Sequence, residues 1–292
     1  MSPRQQTGGP LRRPDAARAP SASALIIFAK APIPGQVKTR LCPPLTPDEA
    51  ASLHGSIVLD MLERSRGTAS MDRFVACAPS SDHVFFKILE ERYGVRLLPQ
   101  VGDDLGARMA HACAGVLALG YRQVLVIGTD LPTLPGSAFG EAITLLATHD
   151  LVLGPAFDGG YYLIGLRKPA PELFAGIPWS TDRVLALTQQ KAAALGLRTA
   201  LLPVRRDVDT IDDLVALIEE SGLQPRVGGV SEVRGSKFDG AGGKGSDPEL
   251  RTSNLEPGIL SPRTAGVLRL LATRVRTHTQ RTPEARKAAA SR

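Results

Sequence analysis

The sequence predicts an α/β domain of the Rossmann-like type between residues 23 and 224. Three observations favour this fold class. Short apolar segments alternate with helical segments, as in a parallel sheet whose strands are joined by helices. The first apolar segment has no polar face, which is typical of a strand that helices cover on both sides. A glycine-rich turn late in the chain joins two strands directly, so we expect a mixed, mostly parallel sheet.

The first strand, loop and helix follow one another closely. Residues 25–28 are all apolar and predict a central strand. The loop over residues 30–35 contains two prolines and a glycine, which end regular structure. A helix then begins near Thr46, because its hydroxyl can cap the helix and Pro47 suits the first helical position.

The remaining elements alternate as far as a predicted hairpin. We expect further strands over residues 73–78, 96–99, 124–127, 151–154, 161–165 and 199–202. We expect helices over residues 81–93, 105–119, 137–147, 181–195 and 211–221. The strands over residues 151–154 and 161–165 flank a turn and predict an antiparallel pair.

The two ends of the chain differ from this domain in composition. Residues 1–22 hold almost no large apolar side chains, and residues 225–292 are rich in Gly, Ser, Thr and Arg. We expect a disordered N-terminal tail and a flexible basic C-terminal tail, in which residues 263–276 could form a short amphipathic helix. The net charge of +6 originates in these tails, because segment 23–224 holds 22 acidic and 18 basic residues. The charge therefore does not indicate a specific nucleic-acid partner.

Cysteine usage and hydropathy predict the location of the protein. The three cysteines are widely spaced and form no metal-ligand or redox pattern, which favours reduced thiols in a cytosolic protein. No apolar run approaches the roughly 18 to 20 residues of a membrane span, and the apolar run near the N-terminus is too short for a signal peptide. We expect a cytoplasmic protein without a membrane span. The sequence contains no reliable indication of an oligomeric state.

A basic loop follows the first predicted strand. Its cationic side chains and backbone amides suit the oxygens of a diphosphate or triphosphate, although the spacing of a Walker loop is absent. The alternative is a solvated basic loop without a ligand. The predicted nucleotide-binding residues of this loop are Lys30, Gly35, Lys38, Thr39 and Arg40.

Acidic residues follow two later strands. Asp130 comes directly after a buried strand, where its carboxylate suits Mg²⁺ or Mn²⁺, although it could instead cap the turn before Pro132. Asp207 and Asp209 share one side of an extended segment. One of them could complete the metal site while the other orients a neighbour, or Asp209 or Thr210 could simply cap the helix that follows.

The turn of the predicted hairpin carries a further acid. Asp158 could act as a general base on an attacking hydroxyl, with Gly159, Gly160 and Tyr161 binding the substrate beside it. The alternative is a hairpin turn without a function, because Asp-Gly is a common hairpin connection.

Four blocks of the sequence resemble, in order, the signature segments of the DUF2064 family. They are FAKAPIPGQVKTRL at 28–41, GDDLGARM at 102–109, GTDLP at 128–132 and GPAFDGGYYLIGL at 154–166. The resemblance extends over about residues 25–217 and leaves out the tails. Members of this family are commonly labelled glycosyltransferases, including those associated with arsenosugar biosynthesis. They are similar to the phospholactate guanylyltransferases of coenzyme F420 synthesis.

This resemblance implies the nucleotide-diphospho-sugar transferase superfamily, whose GT-A type domain has three layers, α/β/α. It implies that Asp130 is the metal-binding carboxylate after the fourth strand and that Asp209 is the second metal ligand. The loop over residues 103–108 would lie near the base or ribose, which adds Asp104 and Arg108 to the nucleotide-binding residues. The implied cofactor is Mg²⁺ or Mn²⁺.

These features together predict a metal-dependent transferase that binds a nucleotide or nucleotide sugar and a small-molecule acceptor. We expect, most simply, transfer of a sugar from a nucleoside diphosphate sugar to an acceptor hydroxyl. The first alternative is nucleotidyl transfer of the guanylyltransferase type, from a nucleoside triphosphate to a phosphorylated small molecule. The second alternative is a non-catalytic nucleotide-binding protein. NAD chemistry is disfavoured, because no GxGxxG follows the first strand.

Overall fold

The computed structural model describes residues 22–66, 71–223 and 260–290. The predicted N-terminal tail therefore lies outside the described residues, except for residue 22. The strands are β1 (Ser23–Lys30), β2 (Met71–Ala78), β3 (Arg96–Pro99), β4 (Gln123–Ile127), β5 (Leu151–Pro155), β6 (Tyr161–Leu166) and β7 (Thr199–Leu201). The α-helices are α1 (Pro47–Arg64), α2 (Val84–Tyr93), α3 (Leu105–Leu117), α4 (Ser137–Leu146), α5 (Val184–Ala194), α6 (Ile211–Glu220) and α7 (Pro262–Ala290). None of these helices is long and apolar enough to span a membrane.

Seven strands form one sheet in the order β3-β2-β1-β4-β6-β5-β7. The pairs β1–β2, β1–β4, β2–β3 and β5–β7 are parallel. Among the described strands, only β6 runs in the opposite direction, because it pairs antiparallel with both β4 and β5. The predicted mixed sheet and its hairpin are therefore confirmed. The other six strands all point their carboxyl ends to the same edge.

Helices cover both faces of the sheet. Along β1, Leu25 and Ile27 join a buried cluster with α1, α2 and α4, whereas Ala24 and Ile26 join a second cluster with α3 and α5. Successive side chains of a strand point to opposite faces, so an all-apolar strand needs a helical layer on each side. The three-layer α/β/α arrangement is confirmed, and every strand and helix expected between residues 23 and 224 is present.

The C-terminal region differs from the flexible tail expected over residues 225–292. Helix α7 packs against α1 and α6, and its apolar face is buried in a third cluster. The amphipathic segment forms a helix because α1 and α6 offer it an apolar surface, and burial of apolar area is the main source of helix stability in proteins. The expectation of a tail is wrong for this part of the chain. Residues 224–259 lie outside the described residues. The buried side chains of α7 in this cluster are Ala265, Leu268, Leu271, Ala272 and Val275.

A buried carboxylate of α1 holds the start of α7. Asp60 accepts hydrogen bonds from the hydroxyls of Ser261 and Thr264 and pairs with Arg263 at 2.8 Å. Arg263 also pairs with Glu63 at 2.7 Å. A buried carboxylate is costly unless it is hydrogen-bonded, so these partners tie the docking of α7 to one register on α1.

We predict that Leu268→Ala lowers the free energy of unfolding by about 2–5 kcal/mol, because Leu268 is 0% exposed beneath α7. Leu270 lies on the same helix but is 67% exposed, so Leu270→Ala serves as the matched control. Its effect is expected within about 0.5 kcal/mol. Urea unfolding of both variants measures the difference. Equal effects of the two substitutions would show that α7 does not dock as described.

Candidate active site

The candidate site lies at the edge where the parallel strands end. β1 ends at Lys30, Asp130 follows β4, and Asp209 lies in the segment between β7 and α6. The N–H of Val208 donates to the carbonyl of Asp130 at 2.8 Å, which joins the two acidic segments through their backbones. The structure thus brings Asp130 and Asp209 together at the carboxyl ends of the strands. This is the edge at which ligands bind in open α/β sheets.

Lys38 joins these two acids. Its ammonium donates to the carboxylate of Asp130, to the carboxylate of Asp209 at 3.1 Å and to the carbonyl of Val208 at 2.6 Å. The three N–H groups of the ammonium therefore have three oxygen acceptors. The Lys38 side chain is only 4% exposed, whereas those of Asp130 and Asp209 are 50% and 43% exposed. The ammonium is enclosed, and the carboxylates stay open to solvent.

The pKa values of this cluster follow from burial and charge. Burial lowers the pKa of Lys38, but the neighbouring Asp130 and Asp209 more than offset this, so the pKa is raised. Burial raises the pKa of Asp130, but the charge and hydrogen bond of Lys38 outweigh it, so the pKa is lowered. Lys38 and Asp130 are therefore both charged at neutral pH.

Asp209 is not the cap of α6. The hydroxyl of Thr210 accepts the N–H of Asp213, and the Asp213 carboxylate accepts the N–H of Thr210 at 2.9 Å, which completes a capping box. The Asp209 carboxylate does not cap the helix and instead accepts a hydrogen bond from Lys38. The capping alternative is excluded for this residue.

Asp207 lies beside the hairpin turn. Burial raises the pKa of Asp207 to about 6, and the nearby charge of Asp158 adds to this. The N–H of Phe157 donates to the carbonyl of Arg205 at 3.0 Å, so the turn after β5 and the segment after β7 meet at the edge where Asp130 and Asp209 lie.

The oxygens around the Lys38 ammonium fit a divalent cation. Two carboxylates and one peptide carbonyl converge on one point, and Mg²⁺ commonly takes one or two carboxylates together with substrate phosphates. In the described part of the chain, no group of three or more His, Cys, Asp or Glu could hold a metal ion. The donors thus suit a cation whose coordination is completed by a phosphate ligand, not one enclosed by protein.

The other predicted residues of the basic loop lie at the surface. Lys30, Gly35, Thr39 and Arg40 are exposed, and Gly35 has a left-handed backbone with φ of 76°. Burial raises the pKa of Asp130, and Lys38 lowers it. The positive charge of Lys30 lowers it further, by less than Lys38 does. These residues are accessible to phosphate oxygens, and their role in nucleotide binding stays a prediction.

The hairpin turn is held by the Asp158 side chain and by the start of α5. The Asp158 carboxylate accepts the N–H of Gly160 at 2.8 Å, and the carbonyl of Gly159 accepts the N–H of Leu185 at 2.8 Å. Gly159 has φ of 86°, and a Cβ there would lie 2.1 Å from the carbonyl oxygen of Asp182. Gly159 is therefore required for close packing of the turn.

Tyr161 points into the core. Its ring packs with the cluster beneath α3 and α5 and meets Trp179 edge-on, with 6.4 Å between the ring centroids. Packing in the core therefore accounts for a tyrosine at this position without a ligand. A substrate contact by its side chain stays untested.

The loop after β3 is tied to the start of α3. Asp104 caps α3 by accepting the N–H of Ala107 at 2.7 Å, and Arg108 donates to the carbonyl of Gly102 at 2.9 Å. Gly106 lies against Trp179, because a Cβ there would be 2.5 Å from the indole ring. Both predicted nucleotide-binding residues thus shape the loop, and a direct nucleotide contact stays a prediction.

Sequence reasoning missed His54 of α1. Its Nε2–H donates to the carbonyl of Lys30 at 3.0 Å, where β1 ends. Burial lowers the pKa of His54, so the ring is neutral at this position. A histidine on the same side of the helix as Ala50, Ile57 and Met61 was the available signal, but only the fold shows that it faces the end of β1.

The sequence profile of the family described as "Uncharacterized protein conserved in bacteria (DUF2064)" matches residues 61–181. A crystal structure described as a nucleotide-diphospho-sugar transferase from Desulfovibrio desulfuricans G20 is 30% identical. The structural alignment covers 88% of this chain and 98% of that chain, with a TM-score of 0.70. The chain belongs to the DUF2064 family. The predicted GT-A type fold is confirmed by the same similarity.

Two relatives are named as guanylyltransferases. The 3-phospho-D-glycerate guanylyltransferase of Phenylobacterium zucineum is 30% identical over 190 residues, which is 61% of this chain and 82% of that protein. The 2-phospho-L-lactate guanylyltransferase of Methanothermobacter thermautotrophicus is 25% identical over 191 residues, which is 62% of this chain and 78% of that protein. The prediction that this DUF2064 protein is a transferase is confirmed. The relatives agree with the nucleotidyl alternative better than with the glycosyl interpretation.

We predict that Gly159→Ala destabilises the fold more than Gly176→Ala does. Both glycines have positive φ, but a Cβ at Gly176 would have no atom within 4 Å. Gly176→Ala should cost about 1–2 kcal/mol for the left-handed backbone alone, and Gly159→Ala should cost a further 1–3 kcal/mol or so for the clash. Urea unfolding compares the two. Equal losses would mean that the turn does not pack as closely as described.

Proposed function

We propose that the protein is a metal-dependent nucleotidyltransferase that acts on a nucleoside triphosphate and a small phosphorylated acid. The single observation that carries this choice is the 30% identity with 3-phospho-D-glycerate guanylyltransferase over 190 residues. Guanosine triphosphate and 3-phosphoglycerate are therefore the first substrates to test.

The site edge offers groups for each part of such a reaction. Asp130 and Asp209 are the residues that would hold Mg²⁺ or Mn²⁺. The metal, when bound, supplies positive charge that offsets the charge on the phosphates. Lys30 and Arg40 lie exposed on the adjoining loop, where they can bind phosphate oxygens. In the proposed reaction an acceptor phosphate oxygen forms a bond to the α-phosphorus, and the bond to the bridging oxygen breaks in line to release pyrophosphate.

A phosphate acceptor removes the need for a general base. A phosphate oxygen is already anionic near neutral pH, whereas a sugar-accepting hydroxyl has to lose its proton. Asp158 is exposed and already accepts a hydrogen bond within its turn, which agrees with a minor role in the chemistry. We propose that Asp158 shapes the edge of the acceptor site.

One observation favours glycosyl transfer as the second candidate function. The structural relative with a TM-score of 0.70 is described as a nucleotide-diphospho-sugar transferase and shares 30% identity. In that case a nucleoside diphosphate sugar would be consumed without release of pyrophosphate.

We predict that the purified protein releases pyrophosphate from guanosine triphosphate only when a divalent metal and a phosphorylated acid are present. Asp130→Asn should lower this rate by at least about a hundredfold, because one of the two carboxylates is removed. Asp212→Asn is the matched control, since Asp212 is an exposed acid in the first turn of α6. Turnover of nucleotide sugars together with inertness toward all nucleoside triphosphates would reject the proposal.

Asp158→Asn separates the two transfer reactions. The amide oxygen of Asn can still accept the N–H of Gly160, so the turn is kept. For attack by a phosphate we predict a decrease of less than about threefold in kcat. Loss of a general base would instead lower kcat by roughly 10²–10⁴. Steady-state kinetics with the phosphorylated acceptor decides between them, and a loss in the larger range contradicts attack by a phosphate.

A further inference from the structure

The ammonium of Lys38 lies where a cation between the two acids is expected. It contacts one oxygen of Asp130, one oxygen of Asp209 and the carbonyl of Val208. All three N–H groups are engaged, so this ammonium has no N–H left for a phosphate oxygen. The sequence prediction of a phosphate contact by Lys38 therefore requires that the side chain first leaves the acids.

We infer that Lys38 is an internal cation that occupies the site of Asp130 and Asp209 until a divalent metal replaces it, and that the released ammonium then faces the nucleotide phosphates. This inference rests on the metal-binding role proposed above for the two acids. It adds that metal and lysine compete for the same oxygens. Metal binding alone would therefore be weak, and binding of the metal would free a phosphate-binding group.

Charge favours the exchange. Two carboxylates and one ammonium leave a net charge of −1, whereas a divalent cation in place of the ammonium neutralises the pair. Holding both cations against the same oxygens would place a divalent and a monovalent positive charge close together, where they repel each other strongly in a partly buried setting. A triphosphate supplies the negative charge that makes the released ammonium favourable in its new position.

The arrangement of the side chains also permits the exchange. The ammonium approaches the acids from an enclosed side, and both carboxylates are close to half exposed on the other. A metal can thus reach them from solvent before the lysine has left. If Lys38 instead stayed bound to both acids, the metal would bind on their exposed side and the ammonium would not move. The two possibilities therefore differ in whether the ammonium leaves when the metal binds.

The backbone at Lys38 is suited to a change of position. Lys38 has φ of 48° and ψ of 36°, a left-handed conformation that is unfavourable for a residue other than glycine. Gly35, three residues earlier, also has positive φ, and residues 34–36 are exposed, although Val37 is buried. Strain of this kind persists only where other contacts hold it. At Lys38 these are the side-chain bonds to the two acids and Val208, together with the bond from the N–H of Leu41 to the Lys38 carbonyl at 2.9 Å.

Metal titration without nucleotide tests the competition. Mn²⁺ binding is measured by calorimetry and by electron paramagnetic resonance for the full chain and for Lys38→Met. The variant should bind Mn²⁺ at least about tenfold more tightly, because the competing positive charge is gone. Lys168→Met is the matched control. It removes an exposed lysine charge after β6, outside the proposed site, and its affinity should change by much less.

Amine labelling of the wild-type protein tests the same point without a variant. Acetic anhydride modification is followed by mass spectrometry, with exposed Lys30 as the internal reference. Without metal, Lys38 should be protected relative to Lys30. At saturating Mn²⁺, its reactivity should rise several-fold.

The outcomes separate the two proposals. Lack of Mn²⁺ binding by both the wild type and Lys38→Met would reject the metal site and the exchange together. Metal binding with equal or weaker affinity in Lys38→Met would reject the exchange alone. Continued protection of Lys38 at saturating Mn²⁺ would also reject it, including where Lys38→Met fails to fold.

Discussion

The ion pairs of Lys38 with Asp130 and Asp209 are the interaction on which the site depends. They join three separate parts of the chain, namely the loop after β1, the end of β4 and the segment before α6. The backbone bond from Val208 to Asp130 supports the same contact. Two carboxylates so close together repel each other unless a cation lies between them. The fold therefore creates a position that always requires a positive charge.

The helices behind the site hold these segments in place. α1 carries His54, which contacts the end of β1, and α6 begins directly after Asp209. α7 packs across both helices and is fixed through Asp60 of α1. The C-terminal helix thus stabilises the two elements that position the acidic edge, although it lies in sequence far from every predicted site residue.

Much of this arrangement could be predicted from the sequence. Alternating strands and helices, and the rule that parallel strands end at one edge, predict that Asp130 and the segment of Asp207 and Asp209 lie at the same edge of the sheet. The choice of Asp209 as the partner of Asp130 came from the family resemblance. Pro47 and Thr46 predicted the start of α1, and the Thr46 side chain caps the helix as expected. The structure adds the reciprocal bond from the Thr46 N–H to Glu49, which completes a capping box. These features depend on local patterns and on topology, and both can be derived from a single sequence.

Other features depend on contacts that no local pattern encodes. The sequence showed Lys38 as one cation of a basic loop, but its partners lie 92 and 171 positions away and are reached through a left-handed backbone. α7 was taken for a tail, because the segment around it is rich in Gly and Ser. A signal was available in α1, since Leu53 and Ile57 are apolar on a face other than that of Val58 and Met61, which pack on the sheet. A helix with two apolar faces requires a second covering element.

The central claim is that the Asp130 and Asp209 carboxylates form one cation site at the carboxyl edge of the sheet. Anomalous diffraction from crystals grown with Mn²⁺ and a non-hydrolysable nucleoside triphosphate tests it most directly. The account predicts one anomalous peak within coordination distance of both carboxylates and of a phosphate oxygen. A fully bound nucleotide with the Mn²⁺ peak away from both carboxylates would contradict it.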